Sequence, residues 1–148
     1  MALEITFVPH GHLYQVIPLL TRFLHQSALR SEGRASIDDI LRGLFSGDTH
    51  LWVVYEDGFD NVKAVLITEI TQYPKSTMLT VQHCAGDFGA LAEAGDMVFG
   101  TLDRVAHDAG CAGIEFFGRP GWGAEAKKHG YLTQRIIYEK HFVSEGDE

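Results

Sequence analysis

Three residues have the chemistry and the setting to move a proton: Glu69, His83 and Glu115. Each lies at or near the end of an apolar, strand-like run, where a side chain reaches the border between core and solvent. A carboxylate or imidazole there can take a proton from a group held within about one water of it. Glu69 and His83 are the candidates for such a base. Glu69 also reads as a solvated strand end. Its strand sets Ala64, Leu66, Thr68 and Ile70 on one face and Val65, Ile67 and Glu69 on the other. His83 is equally suited to binding backbone carbonyls where its strand closes. Glu115 alternates with Ile114 and Phe116 and has Arg119 and Arg135 as ion-pair partners to choose from.

Other groups add anion and wall chemistry. Gln82-His-Cys-Ala-Gly-Asp-Phe-Gly-Ala90 is rich in small residues, which let backbone N–H groups approach an anion. Asp87 and Glu93 bring negative charge to the same stretch. In Gly118-Arg-Pro-Gly-Trp122, Arg119 suits a phosphate or carboxylate and Trp122 a wall. Alternatively, Pro120 and Gly121 shape a turn and Trp122 packs a short helix. Lys127, Lys128 and His129 form a basic run that also fits a solvated helix face. Cys84 could be a reactive thiol, but no base is fixed next to it in sequence to activate it. His10 and His12 lack further ligands, so no metal is expected. There is no Gly-x-Ser-x-Gly, Walker loop or paired-carboxylate signature.

The elements that must position these groups follow from periodicity. Ile5 to Val8 is a first strand. Leu13, Val16, Ile17, Leu20, Leu24 and Ala28 have helical spacing, with Pro18 forcing an irregular entry and a regular helix from about Ile17. Ser36-Ile-Asp-Asp39 is a capping-box relative that starts a second helix, stopped by Gly47. Leu51 to Tyr55, Val62 to Ile70 and Thr77 to His83 form a three-strand meander. Val98, Leu102, Val105 and Ala109 mark a long helix with Asp96 as N-cap and Gly110 as its stop. Ile114 to Phe117 is a strand, Gly121 to His129 a helix, and Tyr131 to Phe142 a final strand. The unit from Thr77 to Phe117 is a parallel crossover. The fold class is α/β, or α+β: a mostly antiparallel mixed sheet with one parallel crossover and helices on both faces.

Composition narrows the field. The chain has 148 residues, 45% of them hydrophobic and 22% charged, with two cysteines. That fits one globular domain over residues 1–143 with an acidic tail at 144–148, in a reducing, cytoplasmic setting. No apolar run is long enough to span a membrane. The net charge is -8, and residues 51–100 alone carry two basic against seven acidic residues. Such a balance disfavours nucleic-acid and anionic-membrane partners.

The order of elements resembles the GNAT superfamily of acyl-CoA N-acyltransferases over nearly the whole chain. The sequence-specific part lies in the last third: Leu102-Asp-Arg-Val-Ala-His-Asp-Ala-Gly-Cys111, Ile114-Glu-Phe-Phe117 and Ala126-Lys-Lys-His-Gly-Tyr131. Gly118-Arg-Pro-Gly-Trp122, together with Leu51-Trp52, is more narrowly similar to small GNAT-like proteins encoded by tailed phages.

The resemblance implies acetyl transfer from acetyl-CoA to an unknown amine. The donor's pantetheine arm would lie where two parallel strands part, between Val81–Gly86 and Ile114–Arg119. Cofactor contacts would come from Val81, His83, Cys84, Ala85, Gly86, Asp87 and Gly89, substrate contacts from Glu115, Arg119 and Trp122, and the base from Glu69 or His83. The sequence departs from the family pattern in several places. In the diphosphate loop, Ala85 stands where a glycine is needed or, in the frame from His83, Gly86 fits but Phe88 takes the place of a small residue. Ala126 stands where a tyrosine protonates the leaving thiolate, and Gly118-Arg-Pro120 where an asparagine is common. The alternative is a non-catalytic GNAT-fold phage protein with a virion-structural or host-interaction role, binding a phage or host protein in the virion or the host cytoplasm. A small-molecule sensor using the same cleft is a third reading.

Overall fold

The computed structural model describes residues 3–86, 89–117 and 123–142. The chain forms two units, Met1–Gly118 and Arg119–Glu148. The first unit holds a five-stranded sheet in the order β1-β2-β3-β4-β5. Its strands are β1 (Leu3–Phe7), β2 (His50–Glu56), β3 (Val62–Gln72), β4 (Thr77–Gly86) and β5 (Gly113–Phe116). The first three pairings are antiparallel and β4 runs parallel to β5, as the meander and crossover require.

Pro18 has a larger effect than an irregular entry. It breaks the helical stretch into α1 (Leu13–Val16), a 3-10 turn (Ile17–Leu20) and α2 (Thr21–Arg30). The proline has no N–H to donate, and its ring crowds the carbonyl four residues back. Leu13, Val16, Leu20, Phe23 and Leu24 still reach the core, so the apolar stripe survives the break. α3 (Ile37–Ser46) begins with the expected capping box: Ser36 Oγ accepts from Asp39 N–H, and Asp39 accepts from Ser36 N–H. Gly47 ends it at φ +85, a conformation a side chain would resist.

The two sheet faces have separate cores. Leu51, Val53, Val65, Ile67 and Ala85 point to the face covered by α1 to α3 and join their side chains in one cluster. Val54, Ala64, Leu66, Leu79 and Val81 are also buried but have the opposite strand parity. α5 (Gly95–Asp108) belongs to that second face, where Phe99 meets Phe116 with ring centroids 6.2 Å apart. It follows α4 (Ala90–Glu93), a single turn. Ala94 is the N-cap of α5 and Asp96 lies inside its first turn, so the expected aspartate cap is displaced by two residues.

The second unit contains α6 (Gly123–Lys128). The strand expected at Tyr131 to Phe142 is not formed: residues 131–142 have no regular structure. Apolar alternation alone cannot make a strand, because its backbone groups need a ladder partner. Leu132, Ile136, Ile137, Tyr138 and Phe142 are exposed. No helix among the described residues is long and apolar enough to cross a membrane.

The capping box makes α3 testable. Ser36→Ala should lower the unfolding free energy by about 1 kcal/mol in urea titrations. Unchanged stability would mean that packing of Ile40 and Leu44 alone fixes the helix start.

Candidate functional site

β4 contains one residue more than β3 can match. Ile67 lies opposite His83 but Thr68 lies opposite Val81, which leaves Gln82 as the extra residue of a bulge. Alternation is suspended there, and two consecutive polar side chains, Gln82 and His83, face the α3 side. They line a cleft of about 190 Å³ with Ala35, Asp39, Ile40 and Gly43 of the α3 region, Thr49, and Ile67 and Glu69 of β3. Gln82 Nε2 donates to Glu69 Oε2 at 2.8 Å, which fixes the carboxylate and leaves its other oxygen for a further donor. Burial lowers the His83 pKa below its ordinary 6.5, so the ring is neutral at physiological pH and able to accept a proton. Thr49 Oγ1, in the cleft wall, is shut off from solvent and has no hydrogen-bond partner. Asp39 carries a lowered pKa, chiefly from the Ser36 backbone N–H, and stays ionised.

The same sheet face continues as a polar row. Glu115 of β5 lies opposite Thr80 of β4, and Thr80 in turn lies opposite Glu69 of β3. Glu115 Oε1 accepts from the Thr80 hydroxyl at 2.9 Å and from the Tyr73 hydroxyl at 2.5 Å. Thr80 is buried and exchanges a 2.7 Å hydrogen bond with Thr71. The partners expected for Glu115 were arginines. Among the described residues its partners are hydroxyls instead, because the strand register brings Thr80 beside it; Arg119 lies outside the described residues.

Beyond this row the parallel ladder ends. β4 and β5 pair from Met78–Gly113 to Val81–Phe116, and the ladder then ends while β4 runs on to Gly86. Arg30, at the end of α2, donates from Nη1 to the Cys84 carbonyl at 3.3 Å. Burial pushes the Cys84 thiol up to about 12, with Arg30 opposing weakly, so this cysteine is no nucleophile at neutral pH.

The structure thus brings Glu69 and His83 together in one cleft and sets Glu115 on the same face. Val81 is the last residue of the parallel ladder and Gly86 ends β4. The Ala85 side chain is buried in the helix-covered core, so only its backbone is available to a ligand. Gly89 holds φ +80 just before α4, a geometry that suits glycine. Asp87 and Trp122 lie outside the described residues, as does Arg119. Lys128 is paired with Glu125 at 3.4 Å, and His10 Nε2 bonds to the Phe45 carbonyl at 2.7 Å. Residues not anticipated from sequence are Arg30, Thr49, Tyr73, Thr80 and Gln82. Only Gln82 had a local signal: two polar residues in succession on a strand that otherwise alternates.

The fold matches solved acetyltransferases at low identity. Glucosamine-6-phosphate N-acetyltransferase from Arabidopsis thaliana is 14% identical with a TM-score of 0.67, over 97% of this chain and 100% of that one. A predicted acetyltransferase of Clostridium acetobutylicum, in a structure with acetyl-CoA, is 11% identical with a TM-score of 0.66, over 95% and 96%. A GNAT family acetyltransferase of Staphylococcus aureus is 8% identical with a TM-score of 0.64, over 96% and 100%. No protein-family model matches the sequence, nor does any curated protein. The fold is therefore that of the GNAT acetyltransferases, and identities this low establish the fold alone.

His83 gives this site a pH signature. Its folded-state pKa lies below the unfolded value, so as pH falls through about 6.5 the unfolded chain takes up the proton first and stability is lost. Above that pH the contribution is fully present. Melting temperatures of the wild type and His83→Gln, followed from about pH 7.5 to 5.5, should show a shallower acid-side decline in the variant. Parallel curves would remove burial of His83 as the cause.

Proposed function

We propose that the protein is an acyl-CoA-dependent N-acyltransferase whose amine acceptor enters the cleft between α3 and strands β3 and β4. The observation that carries this reading is one of position. The parallel ladder ends beside a cleft that holds a carboxylate and a neutral imidazole, Glu69 and His83. An acetyl-CoA arm would lie along β4, where among the described residues the stretch from Gln82 to Gly86 has no β5 ladder and Gly86 and Gly89 carry no side chain. When bound, acyl-CoA supplies the thioester carbon that becomes bonded to nitrogen and the thiolate that leaves.

The chain's own residues then have distinct tasks. The acceptor arrives as an ammonium ion, which Glu69 attracts. Its proton passes to His83 or to the Glu69 oxygen not engaged by Gln82, which frees the nitrogen lone pair. Gln82 keeps that carboxylate oriented, and Thr49 Oγ1 provides an unmet acceptor in the wall. With Ala126 in the place of a tyrosine acid, the leaving thiolate takes its proton from solvent or from the protonated base. The fold supports this reading, as does the presence of acetyl-CoA in the structure of one similar protein.

The competing reading is a GNAT-fold module that binds a protein partner and carries out no chemistry. The similar structures named above come from a plant and from bacteria, and none of them adds support to a virion role. The two readings part on one measurement. Acetyl-CoA at 100 times its dissociation constant should add about 2.7 kcal/mol to stability, seen as a rise in melting temperature. No rise at millimolar acetyl-CoA would sink the transferase reading. With binding in hand, Glu69→Gln and His83→Ala should each lower the rate of amine acetylation by about a hundredfold or more. Unchanged rates in both would remove these residues as the base.

A further inference from the structure

Besides Glu69 and the Arg42-paired Asp39 of the cleft, the acceptor face carries a further anionic position at Glu115. Glu69 and Glu115 lie on the same sheet face, on either side of Thr80, because Thr80 is the register partner of both. Two inter-strand spacings of about 4.8 Å separate their backbones, so the carboxylates lie in line across β3, β4 and β5 roughly 10 Å apart. Both are half-buried, and among the described residues neither is ion-paired. Their partners are neutral: Gln82 for Glu69, and Thr80 and Tyr73 for Glu115. Among the described residues, the Thr80 hydroxyl and the Gln82 amide lie between them, with no lysine or arginine. Each carboxylate keeps acceptor positions open, since Gln82 uses one oxygen of Glu69 and both bonds to Glu115 fall on Oε1.

Two half-buried carboxylates facing one strip are costly without counter-charge, and no described lysine or arginine is paired with either of them. A ligand with two cationic ends supplies that charge. The cleft at Glu69 adds shape: about 190 Å³ is room for roughly six waters at ~30 Å³ each, enough for a short aliphatic segment and unsuited to a bulky group. The orphaned Thr49 hydroxyl in its wall calls for a donor, which an ammonium group has in excess. We propose that the acceptor is a linear aliphatic diamine or polyamine, with its reacting amine in the cleft at Glu69 and His83 and its second ammonium on Glu115. The inference rests on the transferase reading for the chemistry and on the polar row alone for the binding.

Calorimetric titration without acetyl-CoA tests the binding directly. The probes are unbranched diamines of three to eight carbons, each compared with the monoamine of equal length. One or more diamines should bind at least tenfold more tightly than the matched monoamine. Glu115→Gln keeps the shape and the acceptor oxygen for Thr80 and Tyr73, and it should bring the diamine-to-monoamine ratio close to one. Tyr73→Phe keeps the Glu115 charge, and the preference should survive. Equal binding of diamines and monoamines to the wild type, or a ratio that Glu115→Gln leaves intact, would overturn the inference. A diamine preference without any acetyl-CoA-dependent rise in melting temperature would instead sink the transferase reading and leave the diamine site standing.

Discussion

A complete β-ladder consumes the backbone groups and fixes every side chain by alternation, so only an interruption can turn two consecutive side chains to one face. Here the interruption is one surplus residue in β4. The bulge at Gln82 turns two adjacent polar side chains to the same face, and the pairing with β5 stops at Val81, immediately before it. The cleft, the orientation of Glu69 and the neutral state of His83 all depend on that local mismatch. Shifting the doubled position towards Cys84 would turn His83 to the α5 side, and shifting it towards Val81 would turn Gln82 away from Glu69.

The surrounding fold protects this irregularity by being regular elsewhere. β2 and β3 are buried on both faces, and their residues of opposite parity feed two separate cores. α3 closes one side of the cleft, with its start pinned by the capping box and its end by Gly47. Asp39 serves both roles, as a capping residue and as part of the cleft wall. A polar site so placed is stabilised by residues with no chemical task of their own.

The sheet and its helices were largely legible in the sequence because alternation, helical spacing and glycine stops are local signals. The antiparallel meander, the parallel crossover and the Ser36 cap needed no information from distant residues. Glu69 and His83 could be named as candidates because each ends an apolar run. What joins them was hidden. The bonds from Thr80 and Tyr73 to Glu115 cross 35 and 42 residues of sequence, and the bond from Arg30 to Cys84 crosses 54. Such contacts are set by strand register, which no single window contains. Tyr131 to Phe142 shows the opposite failure: a strand-like pattern was present, and the hydrogen-bonding partner that would make it a strand was not.

The bond from Arg30 to the Cys84 carbonyl ties the end of a helix to the edge of a strand at the place where β4 loses its neighbour. A carbonyl oxygen has two lone pairs, so an incoming amide must either share it with the guanidinium or release it. Occupancy of the strand edge and the freedom of the last turn of α2 are then thermodynamically linked, each altering the other by the same free energy.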